Sequence, residues 1–285
     1  MEIMMDRSLN LSFEFFPPRS EKIAAQLRET YRALADLGPA YFSVTYGAGG
    51  TTRDKTFETV LEIQRETGIE AAPHLSCIGS TEGEIRRILE SFRQHGIRRI
   101  VALRGDLPSG MRADGDFHYA NELVAFIREQ SGRTFHIEVA AYPETHPQAP
   151  SYPVDLRNFK RKVEAGANGA ITQYFYNVDA YFYFLEDCRR EGITIPVVPG
   201  IMPITNYSQL ARFSDMCGAE IPRWMRKRLE SYGDDLESIR AFGVEVITGL
   251  CQTLIRGGVT GLHFYTMNRA EPTLTICRNL GLTGG

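Results

Sequence analysis

Eight times along the chain a short apolar run gives way to a longer stretch with helical spacing, and glycine closes nearly every one of the helical stretches. Strands are predicted at 11–16, 41–46, 71–77, 98–106, 135–142, 169–175, 194–198 and 261–265. Helices are predicted at 20–37, 52–67, 81–95, 117–131, 154–165, 179–191 and 206–216, then as a pair at 222–231 and 236–256, with a last one from 272. Strand and helix alternating in this way specify a parallel sheet covered by helices. Eight repeats specify its closed form, an α/β chain folded as a (β/α)8 TIM barrel. The rival is an open doubly wound sheet, which announces a bound dinucleotide by Gly-x-Gly-x-x-Gly after its first strand. Here the first strand runs into Phe16-Pro17-Pro18, and Tyr46-Gly47-Ala48-Gly49-Gly50 has the wrong spacing. The barrel is the better reading.

The chain has 285 residues, and nothing in it marks an internal boundary, so residues 1–285 are read as one barrel domain with 1–10 as a disordered lead. A net charge of -3 advertises neither nucleic acid nor an anionic membrane, and none is expected as a partner. The five cysteines are scattered without a Cys-x-x-Cys pair, which suits a reducing cytoplasm better than a disulfide framework or a zinc knuckle. No metal is expected. His74 and Cys77 are spaced as half a metal site, but no second pair follows.

In a parallel barrel the C-terminal ends of the strands converge on one mouth. Read off the sequence, those ends carry Glu14, Thr45, Tyr46, His74, Arg104, Asp106, Tyr142, Gln173, Tyr265, Asn268 and Arg269. Burying so many polar groups without partners would cost a few kcal/mol each, so the set points to a site. Glu14 lies among Phe13, Phe15 and Phe16, a setting expected to desolvate its carboxyl and raise its pKa towards that of a general acid. Asn158, Arg161 and Lys162 are spaced for one side of a helix, which reads either as a solvated face or as a cradle for phosphate. Two chemistries remain open on residues alone. Glu14 and Asp106 could form a carboxylate pair for glycoside hydrolysis, although the single tryptophan, Trp224, leaves few stacking platforms for sugar. A protein that binds a cofactor without reacting it would not need Glu14.

The motifs Phe13-Glu14-Phe15-Phe16-Pro17-Pro18, Val44-Thr45-Tyr46-Gly47-Ala48, Ala72-Pro73-His74-Leu75, Leu103-Arg104-Gly105-Asp106 and Ala140-Ala141-Tyr142-Pro143-Glu144 follow one another in order. So do Ala170-Ile171-Thr172-Gln173, Pro199-Gly200-Ile201 and His263-Phe264-Tyr265-Thr266-Met267-Asn268-Arg269-Ala270. Together they resemble the bacterial methylenetetrahydrofolate reductases from Leu11 to Leu282. The resemblance implies a cytoplasmic, homo-oligomeric flavoprotein that takes a hydride from NADH or NADPH onto FAD and passes it to 5,10-methylenetetrahydrofolate in a ping-pong cycle. It implies Glu14 as the acid and Asp106 as the catalytic residue between flavin and pterin. It implies cofactor contacts from Thr45, Tyr46, Ala48, His74, Arg104, Gly105, Asp106, Tyr119, Ala120, Tyr142, His146, Asp155, Asn158, Arg161 and Lys162. Asp106, Gln173, Gln209, Phe213 and Arg269 fall where the family holds folate. It further implies a catalytic barrel alone, without the C-terminal regulatory domain of eukaryotic members.

Overall fold

The computed structural model describes residues 9–46, 50–106 and 115–283. Its strands are β1 (Asn10–Phe15), β2 (Tyr41–Val44), β3 (Ala71–Ser76), β4 (Arg99–Leu103), β5 (His136–Ala141), β6 (Gly169–Thr172), β7 (Val197–Val198), β8 (Gly200–Ile201) and β9 (Gly261–Tyr265). All pair in parallel, in the order β7-β6-β5-β4-β3-β2-β1-β9-β8. The strand expected over 194–198 is thus two short pieces, β7 against β6 and β8 against β9. Pro199 divides them because it has no N–H to give to the ladder, while its carbonyl still accepts from His263 N at 3.0 Å. End to end, β7 and β8 make one stave, and the sheet closes as the expected eight-staved barrel.

Around it run α1 (Glu21–Ala35), α2 (Gly50–Thr67), α3 (Glu82–Gln94), α4 (Ala120–Ser131), α5 (Tyr152–Glu164), α6 (Val178–Arg190), α7 (Tyr207–Cys217), α8 (Arg223–Ser231), α9 (Leu236–Arg256) and α10 (Thr273–Asn279). Their starts are set by side chains that accept from otherwise unpaired N–H groups. Ser20 caps α1, Asn206 caps α7, Asp235 caps α9, and Thr81 forms a reciprocal capping box with Glu84. The helix expected from residue 117 begins three residues later, at Ala120, because Glu122 Oε2 accepts from the backbone N–H of both His118 and Tyr119.

The two faces of the barrel wall bury different chemistry. Outside, Phe13 and Phe15 pack towards the helices, Phe13 on Phe264 at 5.8 Å and Phe15 on Phe42 at 5.4 Å between ring centres. Inside, Tyr41, Ala72, Val101 and Ile171 form a separate apolar layer with Leu103 and Tyr265 against it. Strand residues alternate between faces, so Ser12 and Glu14 share the interior with His263 and Tyr265, opposite which they lie in register. Below this layer, away from the mouth, Arg99 Nη1 meets Glu138 Oε1 at 2.8 Å and its Nε meets Glu70 Oε2 at 3.1 Å. The guanidinium lies 4.4 Å over the Tyr41 ring. The interior is therefore polar at both ends and apolar in between.

Gly200 tests the closure. An added Cβ would run into Thr172 O and the Tyr265 ring, whereas one at Gly249, in the exposed middle of α9, would meet nothing within 4 Å. Gly200→Ala should destabilise the protein by about 1–3 kcal/mol or more. Gly249→Ala should stabilise it by roughly 0.5–1 kcal/mol through helix propensity. Denaturant unfolding of both variants reads the two opposite signs.

Candidate active site

A cavity of about 490 Å³ opens at the C-terminal end of the barrel. Glu14, Thr45, Tyr46, His74, Asp106, Tyr142, His146, Gln173 and Phe213 all line it, together with Phe16, Tyr174, Met202, Met216, Cys217, Tyr265 and Met267. Residues up to 253 positions apart in sequence, Glu14 and Met267, are brought together here at the ends of neighbouring staves and on the segments that follow them.

At its base Glu14 is nearly buried, with 12% of its side chain exposed. His74 Nε2 lies 3.3 Å and His263 Nε2 3.5 Å from the same oxygen, Glu14 Oε2. Ser12 Oγ holds the other nitrogen of His263, Nδ1, at 2.8 Å, and the His263 ring lies stacked against Tyr41. Burial alone raises the Glu14 carboxyl, as the sequence suggested. The charge of His74, the hydrogen bond from His263 and their counterparts outweigh it and bring the pKa down to about 2. The expected raised carboxyl is corrected by these two histidines: in the ligand-free barrel Glu14 is an anion.

His263 was missed as a site residue, although it sits two positions before Tyr265 on the same strand face. Strand alternation was a sufficient signal. Its importance follows from its position, fully buried beneath Glu14.

The rim is built from loops. Gly105 takes φ +85, and a Cβ there would lie 2.8 Å from that of Ser76, so the turn after β4 needs glycine. It lets Arg104 fold back, with Nε donating to Gly105 O at 3.1 Å and Nη2 to Gln148 Oε1 at 2.5 Å. Asp106 stands exposed at the edge. The Tyr142 and His146 rings meet edge to face at 4.5 Å, and His146 N donates to Asp155 Oδ2 at 2.8 Å. Gln173 Oε1 accepts from Tyr174 N at 3.0 Å.

The basic face expected on α5 is divided. Arg161 and Asn158 are exposed and paired with each other at 3.1 Å, while Lys162 turns inward and donates to Ala140 O. Desolvation lowers the Lys162 ammonium to about 8 against the pull of Asp155. Tyr119 is exposed and Ala120 half-buried at the start of α4, and Ala48 lies outside the described residues. Gln209 is exposed in the first turn of α7. Arg269 lines a different cavity of about 1220 Å³ with Gln26, Glu237 and Arg240. Tyr119, Ala120, Gln209 and Arg269 do not line the mouth. Cys77 does not complete a metal pair with His74; its Sγ faces the carbonyls of Arg104 and Tyr119.

The methylenetetrahydrofolate reductase family model matches residues 1–281. The chain belongs to the methylenetetrahydrofolate reductase family. It is 44% identical over 277 residues to the 5,10-methylenetetrahydrofolate reductase of Escherichia coli (strain K12), covering 97% of this chain and 92% of that protein. It is 39% identical over 284 residues to methylenetetrahydrofolate reductase (NADH) 1 of Arabidopsis thaliana, of which it covers 48%. A Clostridium thermocellum protein that binds two copies of 5-methyl-5,6,7,8-tetrahydrofolic acid has the same fold, with a TM-score of 0.69 at 16% identity over 98% of this chain and 95% of that one. The family assignment removes the glycoside hydrolase reading.

A carboxylate held at about 2, against an ordinary 4.5, adds stability above pH 4.5 that is lost as pH falls towards 2. The stability difference between the wild type and Glu14→Gln should therefore shrink by roughly 2 kcal/mol from about pH 6 to about pH 3. Denaturant unfolding along that series measures it; a constant difference would mean that the histidines do not hold the charge.

Proposed function

We propose that this reductase works with FAD and with NADH or NADPH as hydride donor, and that Glu14 supplies the proton that opens the five-membered ring of 5,10-methylenetetrahydrofolate. The observation that carries the proposal is one carboxylate between two histidines at the floor of a cavity with an aromatic and polar rim.

The residues present fit a flat polar heterocycle with an anionic tail. His74 Nε2 is buried and, though close to Glu14, makes no aligned hydrogen bond among the described residues, so it has a donor to offer a ring carbonyl. Lys162 is a desolvated cation beside the loop of His146, suited to an anionic oxygen. Bound FAD would supply hydride relay, accepting from the nicotinamide and giving to the folate in turn. Thr45 and Phe213, which both line the mouth, would hold the nicotinamide and the pterin in the same space. Asp106 and Gln173 would grip the pterin by its donor and acceptor edge, with Gln173 released from its contact with Tyr174 N. This reading is supported by the likeness to the reductases, and the folate-binding Clostridium protein is consistent with the fold holding such a ligand.

The low pKa of Glu14 defines the acid step rather than opposing it. In the open site Glu14 is a carboxylate, with Nε2 of His74 and Nε2 of His263 beside its Oε2. Covering the cavity with folate excludes water, and separated charges become costlier there. Glu14 Oε2 then takes up a proton from solvent past the two imidazoles and delivers it to the folate nitrogen. Ser12 fixes the ring of His263 during the transfer.

The purified protein should be yellow and release FAD on denaturation. In Glu14→Gln, NADH or NADPH should still bleach the flavin at a near-normal rate. Reoxidation by methylenetetrahydrofolate should slow by about 10²–10⁴, the usual contribution of a positioned general acid. Stopped-flow absorbance follows both steps on one sample; equal slowing of the two would assign Glu14 to holding the cofactor instead.

A further inference from the structure

The loop from Tyr142 to Gln148 faces two ways. Towards the cofactor side it presents Tyr142 and His146, is tied to α5 by His146 N donating to Asp155 Oδ2, and meets Arg104 through Gln148. Towards the other side it touches the end of α7, the helix whose Phe213, Met216 and Cys217 line the mouth. Two contacts make that second junction. Glu220 N donates to Glu144 Oε2 at 2.8 Å, the one hydrogen bond among the described residues that joins this loop to the chain after α7. Gly218, which ends α7 at φ +75, lies so close that a Cβ would sit 2.9 Å from Pro147 Cγ and 3.4 Å from Thr145 O.

We propose that Glu144 is a positioning residue that latches the cofactor-side loop to the C-terminal end of α7, so that filling the cofactor side fixes the residues that meet the folate. The proposal rests on the reading of the mouth as an FAD and folate site and adds to it the coupling between the two. The mechanical reasoning is direct. The end of α7 is held between Glu144, which grips the backbone after the helix, and Pro147, which abuts its terminal glycine. Displacement of the loop cannot leave α7 where it is. Contacts from a bound cofactor to Tyr142 and His146 order the loop, and the loop then orders Phe213 and Met216. Higher in α7, Ser214 Oγ meets the Tyr174 hydroxyl at 3.1 Å, so the helix pivots about an anchored point rather than leaving the barrel. Burial pushes the Glu144 carboxyl up, with the backbone hydrogen bond of Glu220 resisting. A carboxylate kept in such a place with a single backbone donor is there for that contact.

The protein carries its own reporter. Cys217, the last residue of α7, is half-buried, whereas Cys77, Cys188, Cys251 and Cys277 are buried, so an aromatic disulfide reagent added to the native protein reads the end of α7. The rate of Cys217 labelling would be compared with and without bound FAD in the wild type, Glu144→Ala and Glu144→Gln. Coupling between sites typically spans about 5- to 150-fold. FAD should slow labelling roughly tenfold in the wild type and in Glu144→Gln, whose amide oxygen still accepts from Glu220 N, but less than about twofold in Glu144→Ala. The KM for methylenetetrahydrofolate should rise about tenfold in Glu144→Ala with little change in kcat, and return in Glu144→Gln. Gly218→Ala, which forces the same junction apart from the other side, should repeat the Glu144→Ala result if that variant does not fold. Equal protection in the wild type and Glu144→Ala would mean that FAD shields Cys217 directly, and the latch would be wrong. A wild type that takes up no FAD would sink the functional reading first and the latch with it, a result told apart by the missing colour.

Discussion

A carboxylate held in the barrel interior by two imidazoles is the interaction on which the rest of this molecule depends. Placing Glu14 there costs desolvation, and an uncompensated charge at that depth would be neutralised. His74 and His263 supply the compensation, but only because three separate staves deliver them to one point. β1 brings Glu14 and Ser12, β3 brings His74, and β9 brings His263. The register between β1 and β9, with Ser12 beside His263, gives the second imidazole its own anchor at Nδ1. A shift of one residue in that register would turn Glu14 into the aromatic layer outside and Phe13 into the mouth. The fold and the chemistry are thus set by the same pairing.

The barrel accommodates this by layering. Apolar residues fill the middle of its interior, which isolates the charged group at the mouth from Arg99, Glu138 and Glu70 at the other end. Each charge cluster is paired locally, as buried ions must be to be tolerated. Closure through Pro199 serves the same end. The break in the seventh stave leaves Gly200 free of a side chain where the Tyr265 ring and Thr172 approach, and Tyr265 OH donates to Thr172 O at 2.7 Å across the gap. The aromatic wall of the mouth therefore depends on a proline and a glycine in sequence.

Much of this was legible in the chain. The strand–helix alternation and its glycines gave the barrel, and reading strand ends collected eight of the residues that line one cavity. The protonation of Glu14 was not legible. Its neighbours in sequence are aromatic and argue for a raised pKa, while its neighbours in space are His74, 60 positions on, and His263, 249 positions on. Only the register between staves joins them. Lys162 was misread for a related reason: spacing along α5 groups it with Arg161, but the helix is packed so that one faces solvent and the other the barrel. Gln209 was drawn from resemblance to the family and Arg269 from the strand ends as well, and in the ligand-free fold they lie outside the cavity, on the first turn of α7 and beside α1 and α9.

The central claim is that Glu14 is ionised in the open site and takes up a proton when folate covers it. Isotope-edited infrared difference spectroscopy at neutral pH tests this directly. The oxidised, FAD-loaded protein would be compared with and without methylenetetrahydrofolate, which on the proposed FAD mechanism it would not reduce until its flavin is reduced. The account predicts that a protonated-carboxyl band, assigned to Glu14 by its loss in Glu14→Gln, is missing from the free enzyme and appears on folate binding. A Glu14 band already present in the free enzyme, or absent from both states, would contradict it.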